Sequence, residues 1–360
     1  MTALRPLLAG LLLLLAAGCA PQAARPPGGP VFAGEAEAEV VCVVEAVPNY
    51  LLHLTAVAGL PWPNPYAEVW GHTVDVEAAH VLQLHAASLQ WGQGVTGDLA
   101  PFFVLLPAYL PLESEHELFE YLHALDQAMR NRDYRELRDP YHGAHERLKS
   151  WLFDFEGFFY SRAEVYEGYL RAIRQLVSVY ERSYPAWYDR VWPEVEDDLE
   201  PIADHLNGEL WSLDLIGTWE RKTGVRFRGD RYEIVLTSAP GGSGVTGLGY
   251  ARSLLTPIGD RGHMLGLIVH EVGMHLLLDL FREAEARDLA SGELDWTTYA
   301  AYAGLAQHYT RQIVPGFETE IENDVEIFAG IYRQLQDDEP RAGARRLMDR
   351  ALTEYRAGQW

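Results

Sequence analysis

Cysteine and lysine are nearly absent from this chain. Its 360 residues include 52 acidic side chains and carry a net charge of −23, but there are only two cysteines, Cys19 and Cys42, and two lysines, Lys149 and Lys222. The cysteine count excludes a framework of several disulfides. The acidic surface repels phosphate backbones and no basic cluster offsets it, so the sequence predicts no nucleic-acid partner.

The first 18 residues have the composition of an export signal. Arg5 supplies the positive charge, and residues 7–17 form an apolar stretch that is too short to favour a membrane-spanning helix. Its end, Ala16-Ala17-Gly18-Cys19, resembles the bacterial lipobox, in which the signal peptide is removed before the cysteine and a lipid is attached to it. The resemblance implies a lipid anchor at Cys19 and a place in the cell envelope, facing the periplasm or the exterior. A plain secretory signal and a transmembrane anchor are the alternatives.

In the rest of the chain, the spacing of apolar residues is mostly that of helices. Residues 19–34 are rich in Pro, Gly and Ala and predict a flexible tether, while the apolar run 40–44 predicts a buried strand in which Cys42 is an inert core residue. Helices are predicted over 47–58, 77–89, 101–110, 113–130, 141–159, 164–184 and 192–207. The predicted fold is therefore α+β and predominantly helical, with a helical region over 35–207 and a second region over 208–360.

An apolar run over residues 262–280 contains few polar side chains, and three of them form the pattern His270-Glu271-x-x-x-His275. A helix that is apolar all round is normally buried, and a buried imidazole or carboxylate without a partner is costly. Two imidazoles can hold Zn²⁺, and Glu271 can take a proton from the metal-bound water. The alternative is that these side chains merely satisfy one another in a non-catalytic protein.

The spacing of the two histidines differs from that of most zinc peptidases. In His-Glu-x-x-His the histidines lie about 40° apart around a helix, whereas five residues place His270 and His275 about 140° apart. A π-type turn would bring them together, and Gly273 lies where such rewinding is easy. The form His-Glu-x-x-x-His resembles that of the tubulin tyrosine carboxypeptidase type of zinc peptidase. The resemblance is limited to the motif and implies zinc-dependent peptide hydrolysis without implying the substrate.

A candidate third ligand follows downstream. The segment Glu322-x-x-x-Glu326-Ile327-Phe328 resembles the Glu-x-x-x-Asp-Ile-Phe of thermolysin-like gluzincins. The resemblance implies that Glu322 is the third zinc ligand, that Glu326 orients His270, and that residues 208–360 have a zincin-like fold. Glu318 and Glu320 are other candidate ligands, and a solvated acidic helix face is the alternative for the whole cluster.

Peptide hydrolysis also needs a group that stabilises the oxyanion. Tyr309 and His308 are the candidates, because gluzincins often supply a Tyr or a His. Tyr299, Tyr302 and Arg311 lie in the same stretch, and core packing is the alternative use of any of them. Asp279, four residues after His275, is expected either to orient that imidazole or to lie in solvent at a helix end.

A small sheet is predicted just ahead of the motif. Residues 231–237 alternate as a strand does, residues 240–244 favour a turn, and residues 245–250 could return as a second strand. An extended peptide substrate could dock along such an edge, and an ordinary hairpin is the alternative.

Other histidines are expected to have packing or capping roles. Glu77-x-x-His80 and Glu120-x-x-His123 have the spacing of di-metal helical bundles, but two further inward glutamates would be needed. The sequence therefore predicts a membrane-anchored, extracytoplasmic zinc metallopeptidase that acts on peptides or proteins. The competing hypothesis is a non-catalytic envelope lipoprotein that serves as a binding or scaffold module.

Overall fold

A computed structural model of the protein describes residues 38–59, 65–92, 95–110, 112–141, 163–239, 251–291, 296–317, 323–358 and 360. The predicted signal sequence, Cys19 and the predicted tether lie outside these residues. So do most of the helix predicted over 141–159 and the strand predicted over 245–250. The metal ligand candidates Glu318, Glu320 and Glu322 also lie outside them.

Helices make up most of the described chain, which confirms the predicted predominance of helix. The α-helices are α1 (Ala46–Gly59), α2 (Pro65–Trp70), α3 (Val76–Leu84), α4 (Ala86–Leu89), α5 (Leu106–Tyr109), α6 (Glu115–Asn131), α7 (Arg135–Arg138), α8 (Ala163–Arg190), α9 (Trp192–Leu210), α10 (Leu215–Thr223), α11 (Arg261–Ser291), α12 (Trp296–Ile313), α13 (Asn323–Asp338) and α14 (Ala344–Arg356). A 3₁₀ turn spans Gly71–Thr73 and a π-helical turn spans Pro101–Leu105.

Three parallel strands form the main sheet. They are β1 (Glu39–Val44), β4 (Arg231–Leu236) and β5 (Arg252–Leu255), in the order β1-β4-β5; β2 (Trp91–Gly92) and β3 (Val95–Thr96) form a separate antiparallel pair. Most of β4 and all of β5 are buried, as is usual for parallel strands covered on both faces. The strand predicted over 231–237 is present. Because β5 runs parallel to β4, the two do not form a hairpin.

Side chains from helices occupy both edges of this sheet. Asn207 of α9 binds the backbone of Cys42 in β1 twice, accepting from its N–H at 2.7 Å and donating to its C=O at 2.9 Å. At the other edge the hydroxyl of Tyr109 forms a hydrogen bond with the backbone of Leu254 in β5. A peptide docking along β5 would therefore have to displace Tyr109.

The domain boundary predicted at 207/208 falls inside α9. Strand β1 comes from one side of that position and pairs along its full length with β4 from the other side. Residues from both predicted regions therefore form a single sheet, and Ala38–Trp360 is one compact unit.

Helix α11 lies in the interior of this unit. By length and composition it could cross a membrane over Arg261–Asp288, but 67% of its most apolar part is buried within the protein. It packs against α10 and α12, and it begins shortly after β5 ends. The apolar run that carries the motif is thus accounted for as a core helix.

His53 in α1 predicts a dependence of stability on pH. It is fully buried, its Nδ1 lies 2.9 Å from the Tyr66 hydroxyl, and burial lowers its pKa to about 3. Because the folded-state pKa lies below the unfolded value, this group stabilises the fold above about pH 6.5, and the contribution is lost as the pH falls toward 3. At pH 5 the loss is expected to be about 2 kcal/mol.

Urea unfolding of the wild type and of His53→Gln at pH 7.5 and pH 5 measures this contribution. The variant is expected to lose less stability between the two values, whereas His72→Gln, which changes an exposed histidine, should behave as the wild type does. Equal losses in the wild type and in His53→Gln would contradict the assignment.

Candidate metal centre

Two tyrosine hydroxyls fix the middle of α11 by hydrogen bonds to its backbone. Tyr232 of β4 lies 3.3 Å from the carbonyl oxygen of Glu271 and also bonds to Ser253 of β5. Tyr302 of α12 donates to the carbonyl oxygen of Met274. The motif is therefore held between the sheet on one side and α12 on another.

Trp219 of α10 covers a third side of the motif. Its indole N–H donates to the carbonyl oxygen of Val269 at 3.1 Å, and a Cβ placed on Gly273 would overlap its ring. The absence of a side chain at Gly273 is thus explained by close packing. The sequence predicted a different reason for this glycine, namely that the missing side chain makes local rewinding of the helix easy.

Half-buried His270 and buried Glu271 each have one polar atom that lacks a partner among the described residues. Nδ1 of His270 and Oε2 of Glu271 are inaccessible to solvent and have no hydrogen-bond partner among the described residues. Burial lowers the pKa of His270 to about 4 and raises the pKa of Glu271 to about 8. At pH 7 the imidazole is therefore neutral, which is the form that binds metals, and the carboxyl group is protonated.

His275 lies on another side of the helix. Its ring centroid is 5.2 Å from that of Tyr232 and 5.7 Å from that of Phe227, and the ring borders a cavity of about 200 Å³. His275 is thus directed toward the sheet and the segment that precedes it. One helical turn separates it from Glu271, so these two residues share a face.

The predicted π-type turn around Gly273 is not present. Helix α11 is α-helical from Arg261 to Ser291, and regular geometry leaves His270 and His275 about 140° apart. Within the described parts of the chain, no three His, Cys, Asp or Glu side chains are grouped so that they could hold one ion. The side chains are thus of the kind that zinc requires, but in this helical state the two imidazoles do not converge.

The segment that contains the predicted third ligand starts near the motif. Phe317, the last described residue before it, packs so closely on Gly266 that a Cβ there would overlap its ring. Gly266 lies one turn before His270 on the same face of α11. Six residues after Phe317, at Asn323, α13 begins. Glu322 itself lies outside the described residues, so its role as a zinc ligand stays a prediction.

The carboxylates expected to orient the histidines are engaged by arginines. Both oxygens of Glu326 accept hydrogen bonds from Arg311, at 2.7 and 2.8 Å, and these bonds lower the pKa of Glu326. Asp279 lies 3.3 Å from Arg228 and is half exposed. The structure thus places Glu326 in an ion pair between α12 and α13, and Asp279 in an ion pair at the surface.

The two candidate oxyanion-stabilising residues differ in their surroundings. His308 is nearly buried, and its Nε2 lies 2.7 Å from Oε1 of Gln336 and 2.9 Å from Nε2 of Gln312. Tyr309 is fully buried against Trp219, its hydroxyl has no partner in the part of the chain that is described, and burial raises its pKa to about 12. Only Tyr309 combines a buried hydroxyl available for hydrogen bonding with a link through Trp219 to the motif.

Sequence reasoning missed two residues that surround Glu271. Tyr109 and Tyr232 come from distant parts of the chain, and tertiary packing alone brings them to α11. The pKa of Tyr109 is raised by burial first, then by Tyr232 and by Glu271, which places its hydroxyl within electrostatic reach of that carboxyl group. A third residue, Arg282, could have been found, because it lies seven residues after His275 and therefore on the same face of the helix.

Comparison with known proteins adds no family assignment. No protein-family model, no curated protein and no solved structure matches the chain. The residues of α11 and their surroundings are accordingly the basis on which a function is assigned.

Proposed function

We propose that this protein is a zinc metallopeptidase of the bacterial cell envelope, anchored by a lipid on Cys19, and that it hydrolyses peptide bonds of peptides or proteins. His270, His275 and Glu322 would hold Zn²⁺. The metal would supply a Lewis acid that polarises the scissile carbonyl group and activates water. Residues 208–360 would form the zincin-like part of the fold.

The observation that supports the proposal is the pair formed by His270 and Glu271. Nδ1 of His270 and Oε2 of Glu271 are both inaccessible to solvent and have no hydrogen-bond partner in the described residues, although each such atom costs free energy. A bound cation would compensate both costs, because it would accept the lone pair of the neutral imidazole and lower the pKa of the adjacent carboxyl group.

The proposal requires that α11 rewinds locally between His270 and His275 when zinc binds. Rewinding exchanges a few backbone hydrogen bonds, each worth about 1 kcal/mol, whereas zinc binding to small protein sites provides about 10 kcal/mol or more. The carbonyl oxygens of Glu271 and Met274 already accept from Tyr232 and Tyr302, so both would keep a donor during the change. The free-energy balance favours a site that is completed by the metal.

The chain's own groups would then carry the proton. Glu271 would accept a proton from the attacking water on a carboxylate oxygen and pass it to the leaving amine nitrogen. The hydroxyl of Tyr309 would donate to the oxyanion. The surrounding side chains Trp219 and Tyr232 would exclude bulk water from Glu271.

A non-catalytic envelope lipoprotein is the second candidate. The regular α-helical geometry of α11 favours it, because that geometry keeps His270 and His275 apart. On this hypothesis the motif has only a packing function and the protein has no use for a metal.

Metal analysis separates the two candidates. After zinc loading and dialysis, the wild type is expected to retain about one zinc per chain, and His270→Ala is expected to retain almost none, because a three-residue site loses a ligand. His116→Ala, which changes a histidine whose side chain is 81% exposed, is the matched control and should retain zinc as the wild type does.

Wild-type protein that remains free of zinc after loading would contradict the peptidase proposal and favour the scaffold. The same holds if His270→Ala, with an unchanged circular dichroism spectrum, binds as much zinc as the wild type.

A further inference from the structure

A cavity of about 860 Å³ lies between α11, α14 and the segment that joins α10 to β4. In a chain with a net charge of −23, the described residues that line this cavity include five arginines and only four acidic residues. We call it the arginine cavity. Its arginines are Arg226, Arg228, Arg345, Arg346 and Arg350.

The arginines of this cavity are more exposed than the carboxylates that pair with them. The side chain of Arg226 is 86% exposed, and that of its partner Glu220 is 19% exposed. The side chain of Arg346 is 70% exposed, and that of its partner Glu339 is 29% exposed. The other three arginines follow the same order. A molecule that enters the cavity therefore meets guanidinium groups before it meets carboxylates.

These ion pairs leave donors that a ligand can reach. A guanidinium group has five N–H donors, and a contact with one carboxylate uses at most two of them. At largely exposed side chains such as Arg226 and Arg346, the other donors are in contact with water. Exposed ion pairs contribute little to stability, so an arginine can share its donors with a second anion at little cost.

The arginines occupy two walls of the cavity. Arg226 and Arg228 belong to the segment that precedes β4, whereas Arg345 and Arg346 lie in the first turn of α14. Positive side chains are unfavourable in the first turn of a helix, because the helix dipole is positive there. An anion bound between the two walls would offset this unfavourable interaction and the repulsion among the guanidinium groups.

The arginine cavity adjoins the smaller cavity that His275 borders. Arg226, Arg228 and Asp279 line both of them. From His275 to Glu283, which also lines the arginine cavity, α11 rises by about 12 Å. An extended peptide covers that distance with about four residues. A peptide held at His275 would therefore place nearby side chains in the arginine cavity.

We propose that the arginine cavity binds an acidic peptide segment. Its carboxylates accept hydrogen bonds from Arg226 and Arg228 on one wall and from Arg345 and Arg346 on the other. A peptide fits better than a small anion, because the guanidinium groups are spread over both walls of a large cavity. In the peptidase of the proposed function, on which this last step rests, acidic residues about four positions from the scissile bond select the substrate.

Binding is measured on the full chain after treatment with a chelator, so that no metal contributes. The probe is a ten-residue peptide of alternating Glu and Gly with blocked ends, and its counterpart has Gln in place of Glu. Isothermal titration is expected to show saturable binding of the Glu peptide that weakens as the salt concentration rises, and no binding of the Gln peptide. Absence of Glu-peptide binding, or equal affinity for the Gln peptide, would overturn the proposal. Inorganic phosphate that displaces the Glu peptide at matched ionic strength would overturn the peptide assignment.

Variants on the two walls locate the site. Arg226→Gln combined with Arg228→Gln removes two guanidinium groups, so the Kd for the Glu peptide should rise about tenfold. Arg346→Gln tests the opposite wall and should raise the Kd about threefold. Arg135→Gln is the matched control, because Arg135 is also exposed and paired with a carboxylate but does not line the cavity. Wild-type affinity in the double variant, or an equal loss in Arg135→Gln, would contradict the inference.

The peptidase proposal and the binding proposal fail separately. Zinc-loaded wild type is expected to cleave peptides with Glu about four positions from the scissile bond in preference to their Gln counterparts. The ratio of the two kcat/KM values should fall toward one in the double variant. Binding of the Glu peptide without hydrolysis would contradict the peptidase proposal alone. Equal cleavage of Glu and Gln peptides by the wild type would overturn the role of the arginine cavity in substrate selection.

Discussion

Glu271→Gln is expected to slow peptide hydrolysis by a factor of about 10² to 10⁴ while leaving the zinc content unchanged. The amide has nearly the shape of the carboxyl group but cannot accept the proton of the attacking water. The measurement is the release of new amino termini from a peptide library of mixed sequence at neutral pH, compared with zinc content on the same samples. Glu283→Gln, on an exposed carboxylate of the same helix, is the control and should retain activity.

The same variant also tests whether the loss of activity comes from the missing proton acceptor and not from a change in the folded structure. In the zinc-free protein burial raises the pKa of Glu271 to about 8, so at pH 7 its carboxyl group is neutral, as an amide is. Unfolding midpoints in urea should therefore be similar for the zinc-free wild type and variant. A variant that hydrolyses peptides at the wild-type rate would remove Glu271 from the mechanism, and a variant that loses zinc together with activity would make it a structural residue.

Local patterns predicted the helices well. The amphipathic spacing over 164–184 and the apolar run over 262–280 correspond to α8 and α11, and the Val-rich run corresponds to β1. The spacing of apolar residues indicates which face of a helix or strand is buried, and it can be read from residues that are close together in the sequence. The burial of Glu271 follows in the same way from the apolar residues around it.

Long-range pairing could not be predicted from these patterns. Strand β1 pairs with β4 almost two hundred residues later, so the boundary expected at 207/208 divides strands of one sheet. The same limit applies to Glu326, since nothing near it in the sequence shows that Arg311 on another helix takes both of its oxygens. Where a carboxylate has several possible partners, tertiary packing decides among them.

The sequence and the structure give different reasons why residue 273 is a glycine: ease of helix rewinding and close packing against Trp219. Gly273→Ala is expected to distinguish them. If the residue is Gly because Trp219 packs on the helix there, alanine overfills the contact and lowers the free energy of unfolding by about 1–3 kcal/mol. If the conformational freedom of glycine is the only reason, alanine in this α-helix should raise the free energy of unfolding by about 0.5–1 kcal/mol.

Urea unfolding of zinc-free protein measures the difference, with Gly208→Ala in α9 as the matched control. A Cβ at Gly208 meets nothing within contact distance, so that variant should gain stability. A smaller side chain in Trp219→Leu should reduce the cost of Gly273→Ala in the double variant, because the two changes act on one contact. A stabilised Gly273→Ala that binds zinc less well would contradict the packing account and make rewinding the reason for this glycine.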